Sequence, residues 1–392
     1  MSDPWLMIIG VNENGLDGLS HDSRDAIARA EVLIGGPRHL ALVGAGGRGV
    51  AWPVPFDVAP VLAHRGRRVV ILASGDPFWF GAGGSIAPHL HPDEWRATPA
   101  PSTFALMASA LGWGLENVSC QGLHAAPFAR LRPSLQNGAR LFCLLRDGQA
   151  PADLAQYLCD TGFGKSELHV MERLGGPHQR VRKITAERSD LTDISAPVAV
   201  AILAQGLGLS HASGLPDDAF VSDGQITKRP IRAMTLSALA PRRLEHLWDI
   251  GGGSGSVSVE WCLAGGRATT IEPKSQRVDN IRQNAANFGV SHLMQVIHGA
   301  APDALGGLDA PDAVFVGGGG DAELFTALIP RLRTGTRLVV NSVTLETEAL
   351  LVALQAQHGG SLIKIDIATA VPLGRMSAWQ AARPVVQWSV TL

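Results

Sequence analysis

The chain of 392 residues predicts an α/β protein built as two domains. Three observations carry that expectation. Short apolar runs alternate with helical patterns and glycine turns along the whole length, as in βαβ units with mainly parallel sheets. A segment rich in Gly, Ser and Asp, 205–233, interrupts the alternation, and a new αβ series begins beyond it. Finally, LWDIGGGSGSVSVEW (247–261) reads as a buried strand that ends in a glycine loop and enters a helix. One such pocket needs about a single domain of chain, yet nearly 250 residues stand in front of it. The division is placed near 209–215, giving domains 1–209 and 210–392.

In chain order, strands are expected at LMIIG (6–10), RVVILASGDP (68–77), RLFCLL (140–145), ELHVMERLG (167–175) and APVAVAILA (196–204). The second series follows at HLWDIGGG (246–253), ATTIEP (268–273), MQVIHG (294–299), DAVFVGGG (312–319) and TRLVVNSV (336–343). The front domain divides again near 98–101, where TPAPS breaks the pattern. No repeat of 20–50 residues and no low-complexity tail is visible.

Hydrophobic residues make up 46% of the chain and charged residues 17%, enough apolar material for more than one core. The net charge of -2, without a long run of one sign, argues against a general nucleic-acid binder. Cys120, Cys143, Cys159 and Cys262 form no CxxC pair and suit neither a zinc site nor a small disulfide framework, so no metal is expected. Reduced thiols in a large chain fit the cytoplasm. The N-terminus shows no signal-peptide pattern, and no apolar stretch approaches the roughly 20 residues that span a bilayer. A cytoplasmic protein without membrane or nucleic-acid partners is the expectation.

In DIGGGSGS, Asp249 closes a strand and Gly251, Gly253 and Gly255 follow at alternate positions. Glycines let the backbone turn sharply and let a ligand approach without a Cβ in the way. Glu272 ends the next strand, where an acid can accept hydrogen bonds from both ribose hydroxyls. The plain alternative is a tight strand–helix turn. The dinucleotide fingerprint is G-x-G-x-x-G, whereas here the order is G-x-G-x-G with an acid two residues ahead. That order, with HGAAPDAL (298–305), resembles the first motif of Rossmann-like S-adenosylmethionine (SAM) methyltransferases. The resemblance makes Asp249, Gly251, Gly253, Gly255, Glu272, Ala300 and Ala301 candidate cofactor contacts. His298 is read as a wall of the adenine pocket.

In the front half, ASGDPFWFGAGG (73–84) resembles the class III tetrapyrrole methyltransferases of the corrin and sirohaem pathways. That family's other landmarks follow in order: a glycine-containing first loop (IIGVNENGLDGLS), APSTFALMASALGW (100–113), and GFGKSELHVMERLGGPHQRV (162–181), which includes Glu172, Leu174, Gly175 and Pro177. The first loop departs from the family's common G-x-G-P-G, because this chain has Gly10-Val11-Asn12-Glu13-Asn14-Gly15. The resemblance makes Gly75, Asp76, Pro77, Phe78, Ser102 and Thr103 cofactor candidates, and implies two αβα subdomains.

GLPDDAFVSDGQITKRPIRAMTLSALAP (214–241), the glycine loop and NSVTLETEALL (341–351) resemble the decarboxylating corrin methyltransferases. The two resemblances together cover essentially the whole chain. They imply one SAM per half, methylation of carbons 5 and 15 of precorrin-6B, and loss of the ring C acetate carboxyl to give precorrin-8. The front half would act at carbon 5, the back half at carbon 15 and in the decarboxylation. Because the macrocycle bears acetates and propionates, Lys228, Arg229 and Arg232 are candidate substrate contacts, while Arg242 and Arg243 are read as solvent-facing. Thr344 and Glu346, just after a strand end, are candidate catalytic residues, Glu346 by assisting proton transfer; its alternative is a favourable charge at a helix start. Trp79, Trp113 and Trp379 are read as core or interface residues rather than macrocycle platforms. Both families imply a homo-oligomer, a dimer or a tetramer.

Two other classes remain. A SAM-dependent RNA methyltransferase with an accessory front domain predicts a broad basic surface and an N/D-P-P-Y/F motif where this chain has FVGGGGDAE. A non-catalytic SAM-binding regulator would bind SAM without turnover.

Overall fold

The structure is a computed structural model that describes residues 4–392. It divides into two compact units. The first comprises the chain up to Phe128 with Ser134–Leu207, and the second Ala129–Pro133 with Gly208–Leu392.

The first unit holds two five-stranded sheets. Strands β1 (Leu6–Val11), β2 (Val32–Gly35), β3 (Gly49–Ala51), β4 (Val69–Ser74) and β5 (Trp95–Thr98) form a wholly parallel sheet in the order β3-β2-β4-β1-β5. Alternate side chains supply two separate cores. Ile9, Leu33, Val70 and Leu72 pack with Ile27 on one face, and Ile8, Ile34, Val69 and Ile71 with Val61 and Ile86 on the other. Burial on both faces explains why LMIIG and VVILA are continuous apolar runs.

The sheet changes after β5. Strands β6 (Val118–Gly122), β7 (Arg140–Leu144), β8 (Glu167–Glu172), β9 (Arg180–Thr185) and β10 (Val198–Leu203) are ordered β6-β7-β10-β8-β9. Here the expectation of mainly parallel sheets is corrected. Only β6–β7 is parallel; β7–β10, β10–β8 and β8–β9 are antiparallel. An apolar run buried on both faces reads the same in either orientation, so periodicity could not tell them apart. The helix Thr103–Leu111, capped by Ser102 through its Oγ to the Ala105 N–H, covers one face with Phe104 and Met107.

The second unit is built on a seven-stranded sheet of β11 (His246–Ile250), β12 (Arg267–Glu272), β13 (Met294–His298), β14 (Ala313–Val316), β15 (Arg337–Ser342), β16 (Ser361–Ile365) and β19 (Val385–Thr391). The order is β13-β12-β11-β14-β15-β19-β16, parallel from β13 to β15, with β19 antiparallel to both of its neighbours. Trp261 and Phe315 lie in the core on one face, Trp388 and Phe325 in the core on the other. Between β16 and β19, β17 (Ala368–Leu373) and β18 (Met376–Ala381) form a separate, largely exposed hairpin. Among the described residues no helix is long and apolar enough to cross a membrane, and all four cysteines are free thiols.

Candidate active sites

In the first unit, β1 and β4 end side by side, Val11 opposite Ser74. The turns beyond them are so close that only glycine fits. A Cβ on Gly10 would stand 1.8 Å from the Gly75 carbonyl oxygen, and one on Gly75 2.8 Å from Ser102 Cα. Gly75 also has φ +55°, and its carbonyl accepts the Ala100 N–H at 3.0 Å. Asp76 then reverses the chain by accepting the Phe78 N–H at 2.8 Å. Next to this knot of turns is a cavity of about 670 Å³, whose wall includes Asp76, Ser102 and Thr103. That volume suits a small-molecule site.

A polar cluster stands on the same wall. Arg38 pairs with Glu13 and donates from Nη2 to Ser74 Oγ at 2.8 Å; the same Nη2 is 2.7 Å from His39 Nε2. Burial, then the neighbouring Arg38 charge, push His39 down to about 4, so its ring is neutral near pH 7. A guanidinium can only donate, so His39 Nε2 must accept and Nδ1 carries the hydrogen. That Nδ1 has no partner among the described residues.

In the second unit the strand order reverses between β11 and β14, the place where open α/β sheets bind ligands. A cavity of about 660 Å³ opens there, walled by the glycine backbones 251–253 and 317–318 and by Phe315 and Asn341. Gly251, Gly253 and Gly255 have φ of +74°, +58° and +71°. A Cβ on Gly252 would stand 2.3 Å from Thr270 Cγ2 on β12. Beneath the loop, the Ser258 hydroxyl donates to Asp249 Oδ2 at 2.6 Å and lies 2.7 Å from Thr270 Oγ1. Burial pushes the Asp249 carboxyl up to about 6. Glu272 accepts the Gly253 N–H at 2.9 Å and the Lys274 N–H at 3.0 Å, clamping the loop from β12. Asn284 ties in the segment that arches over the loop: it donates to the Ser254 and Val221 carbonyls and accepts the Val221 N–H. Under the cavity, Asn341 donates to Thr235 Oγ1 and accepts from Gln387.

SAM fits both places on structural grounds. Two buried polar atoms beneath the second loop, Asp249 Oδ1 and Ser254 Oγ, find no partner among the described residues, although neither residue lines the cavity. Space above Gly251 is open, with nothing nearer a Cβ than the Gly318 oxygen at 3.9 Å. In the first unit the same conclusion rests on the cavity against the packed turns at Gly10, Gly75 and Ser102.

Family models match both units: tetrapyrrole (corrin/porphyrin) methylases over residues 6–189, and a precorrin methyltransferase domain over 218–392. The precorrin-6Y C(5,15)-methyltransferase [decarboxylating] of a Sinorhizobium species is 47% identical, over 99% of this chain and 96% of its own. The chain belongs to the precorrin-6Y C5,15-methyltransferase (decarboxylating) family. Its counterpart in Mycobacterium tuberculosis strain H37Rv is 35% identical over 98% of this chain and 99% of the relative. Among solved structures, the C-terminal domain of precorrin-6Y C5,15-methyltransferase from Rhodobacter capsulatus is 59% identical, covering 47% of this chain and all of that one, with a TM-score of 0.46.

For this precorrin-6Y methyltransferase family member, the candidate residues divide sharply by position. Asp76, Ser102 and Thr103 line the first cavity, and Gly251, Gly253 and Lys228 the second. Gly75 and Pro77 are buried in the turn that supports the first wall, and Gly255 packs on Ile281. Phe78 is exposed and tilted against Trp95, outside the cavity. Ala300 is exposed beyond β13, and Ala301 packs against the core. Thr344 caps the helix Leu345–His358 by accepting the Thr347 N–H; Glu346 is exposed in its first turn, and neither lines the cavity.

Arg232 is corrected as a substrate contact. Its side chain is 0% exposed and saturated from within: Nε donates to Glu260 at 2.6 Å, and the remaining nitrogens to Asp217 and to the Thr227 and Leu215 carbonyls. It fastens 215–227 to the helix Ser256–Leu263. Arg229 is exposed and does not line the cavity. Sequence reasoning missed Glu13, Arg38 and His39 in the first cavity and Arg277, Asn341 and Arg383 in the second. Of these, Glu13 lay inside the quoted first loop, IIGVNENGLDGLS, and Asn341 inside NSVTLETEALL.

Proposed function

We propose that the chain performs three reactions on one macrocycle. The first unit methylates carbon 5 of precorrin-6B. The second methylates carbon 15 and removes the ring C acetate carboxyl as carbon dioxide, giving precorrin-8. The observation that carries this reading is the pair of cavities, of about 670 and 660 Å³, one in each unit, each set against glycine turns at strand ends. It rests as well on the two-part match to tetrapyrrole and precorrin methyltransferases.

Bound in each cavity, SAM supplies a methyl group on a positive sulfur. A meso carbon between pyrrole-derived rings is enamine-like, so the residues' main work is alignment, worth roughly 7–11 kcal/mol when geometry is ideal. In the second unit the backbones of Gly251 and Gly253 approach the cofactor directly. Glu272 is buried and does not line the cavity; its two backbone bonds hold the glycine loop in the shape that receives the cofactor. Lys228, Arg277 and Arg383 ring that cavity and answer the macrocycle's acetates and propionates. In the first unit Ser102 and Thr103 border the cofactor; Trp79, read from the sequence as a core or interface residue, instead lines the cavity, where it and Phe80 offer aromatic faces. We assign one SAM to each unit, a homo-oligomeric state and a cytoplasmic setting.

The test is incubation of the full chain with precorrin-6B and SAM carrying an isotopically labelled methyl. Two labels, located by NMR at carbons 5 and 15, and one equivalent of carbon dioxide are the expected result. A single label at carbon 15 removes the first unit from the reaction.

A further inference from the structure

The first cavity has two ends. Its wall runs from Ser102, after β5, to Trp52 and Phe56, after β3, and these strands are the opposite edges of the parallel sheet. The tight turns assigned to the cofactor lie toward β4, β1 and β5. The β2–β3 end is lined differently. Trp52 and Phe56 meet there with ring centroids 5.0 Å apart, and Arg38 follows β2. Among the described residues lining the cavity, Arg38 is the one Arg or Lys.

Arg38 is held in place from three elements. Glu13, from the loop after β1, takes Nη1; Ser74, at the end of β4, accepts from Nη2, and His39 turns its Nε2 lone pair toward the same nitrogen. The side chain nevertheless remains 34% exposed while Glu13 is 11% exposed, and Glu13, Ser74 and His39 engage three of its five N–H groups, which leaves two for a ligand. A planar cation in the same cavity as two aromatic rings complements a flat macrocycle that carries carboxylates.

Resting on the carbon-5 assignment above, we propose that Arg38 is the anchor of the first cavity for a carboxylate of the macrocycle, an acetate or propionate, and that it sets the ring's register over the reacting methyl. Glu13 and His39 are positioning residues that pre-orient the fork. The same chemistry could serve the carboxylate of the cofactor's methionine part, so the experiment separates the two sources.

Full-length Arg38→Gln and Arg38→Lys are compared with the unaltered chain in two assays. One is steady-state methylation at carbons 5 and 15 with labelled SAM; the other is calorimetric binding of S-adenosylhomocysteine. Methylation at carbon 15 reports in the same tube that the second unit is folded, and S-adenosylhomocysteine binding at the first-unit site reports the same for the first. The expected result for Arg38→Gln is a KM for the macrocycle at carbon 5 raised tenfold or more, with affinity for S-adenosylhomocysteine within twofold and carbon 15 unaffected. Arg38→Lys, which keeps the charge but not the fork, is expected to fall between. An unchanged KM for Arg38→Gln overturns the proposal. A tenfold loss of S-adenosylhomocysteine binding by both variants overturns it in favour of the cofactor's carboxylate. If the unaltered chain methylates carbon 15 alone, the carbon-5 assignment falls and takes this substrate for Arg38 with it; if carbon 5 is methylated normally in Arg38→Gln, Arg38 alone is wrong.

Discussion

Asp249 and Arg232 are both buried in the second unit, and they respond to change in opposite ways. Asp249 has one short bond from Ser258 and an Oδ1 without a partner among the described residues, and burial lifts its carboxyl to about 6. A carboxyl raised in the fold stabilises it fully only below the unfolded value, near 4, and that contribution is lost as pH rises through about 6. Asn in its place does not titrate. The unaltered chain is therefore expected to gain up to about 3 kcal/mol on D249N between pH 7 and pH 4. Urea denaturation of both proteins at several pH values checks this, and a difference that stays constant with pH refutes it. Arg232 is instead saturated, so its removal leaves Glu260 buried and uncompensated. Arg232→Ala is expected to lose about 3–5 kcal/mol of stability. Molecules that still fold should bind S-adenosylhomocysteine with unaltered affinity, whereas weaker binding in a fully folded variant would restore Arg232 to the site. The sequence could not tell Arg232 from its exposed neighbours Lys228 and Arg229. Its fate depends on Glu260, which lies 28 positions away and comes near only through the fold.

The elements most legible in the sequence were those whose residues answer a local demand. All ten expected strands exist, most because strands buried on both faces need continuous apolar runs; β13, whose side chains are partly exposed, is the exception. Most of the missed ones are short or exposed, but β19, seven residues long and largely buried, is neither. β2 and β3 have four and three residues, and β17 and β18 carry mostly exposed side chains, so neither gives a period to read. The pairing direction of β7, β8 and β10 was illegible for the reason given above. The glycine turns were legible because no other residue fits them, and this yields a prediction. A Cβ at position 252 meets Thr270 Cγ2 at 2.3 Å, and one at position 75 meets Ser102 Cα at 2.8 Å with φ at +55°. Overpacking of this kind costs about 1–3 kcal/mol. If that falls on the ligand-ready loop, G252A should weaken S-adenosylhomocysteine about tenfold to a hundredfold in the second unit, and G75A similarly in the first. Unaltered binding in either variant, measured by calorimetry, would mean that the loop relaxes without losing its site.

On the scale of the whole molecule, the two resemblances located two catalytic units but said nothing about whether the units bind ligand independently. The distribution of the cores bears on that. Each unit has its own apolar clusters on its own sheets, and each cavity is lined from within one unit. Ligand binding in one unit therefore needs no group from the other. Calorimetric titration of the full chain with S-adenosylhomocysteine is expected to give two sites per chain. G75A and G252A should each leave one site at full affinity and one weakened, and the double variant none at full affinity. Because a ligand at a hundred times its Kd adds about 2.7 kcal/mol to the unit that holds it, each single variant should also lose the ligand-induced rise in melting temperature of its own unit and keep the other. If G75A abolishes both sites, the units are coupled despite their separate cores. If the unaltered chain shows one site that G252A removes and G75A leaves intact, the departure of Gly10–Gly15 from the common first-loop pattern has cost the front unit its cofactor.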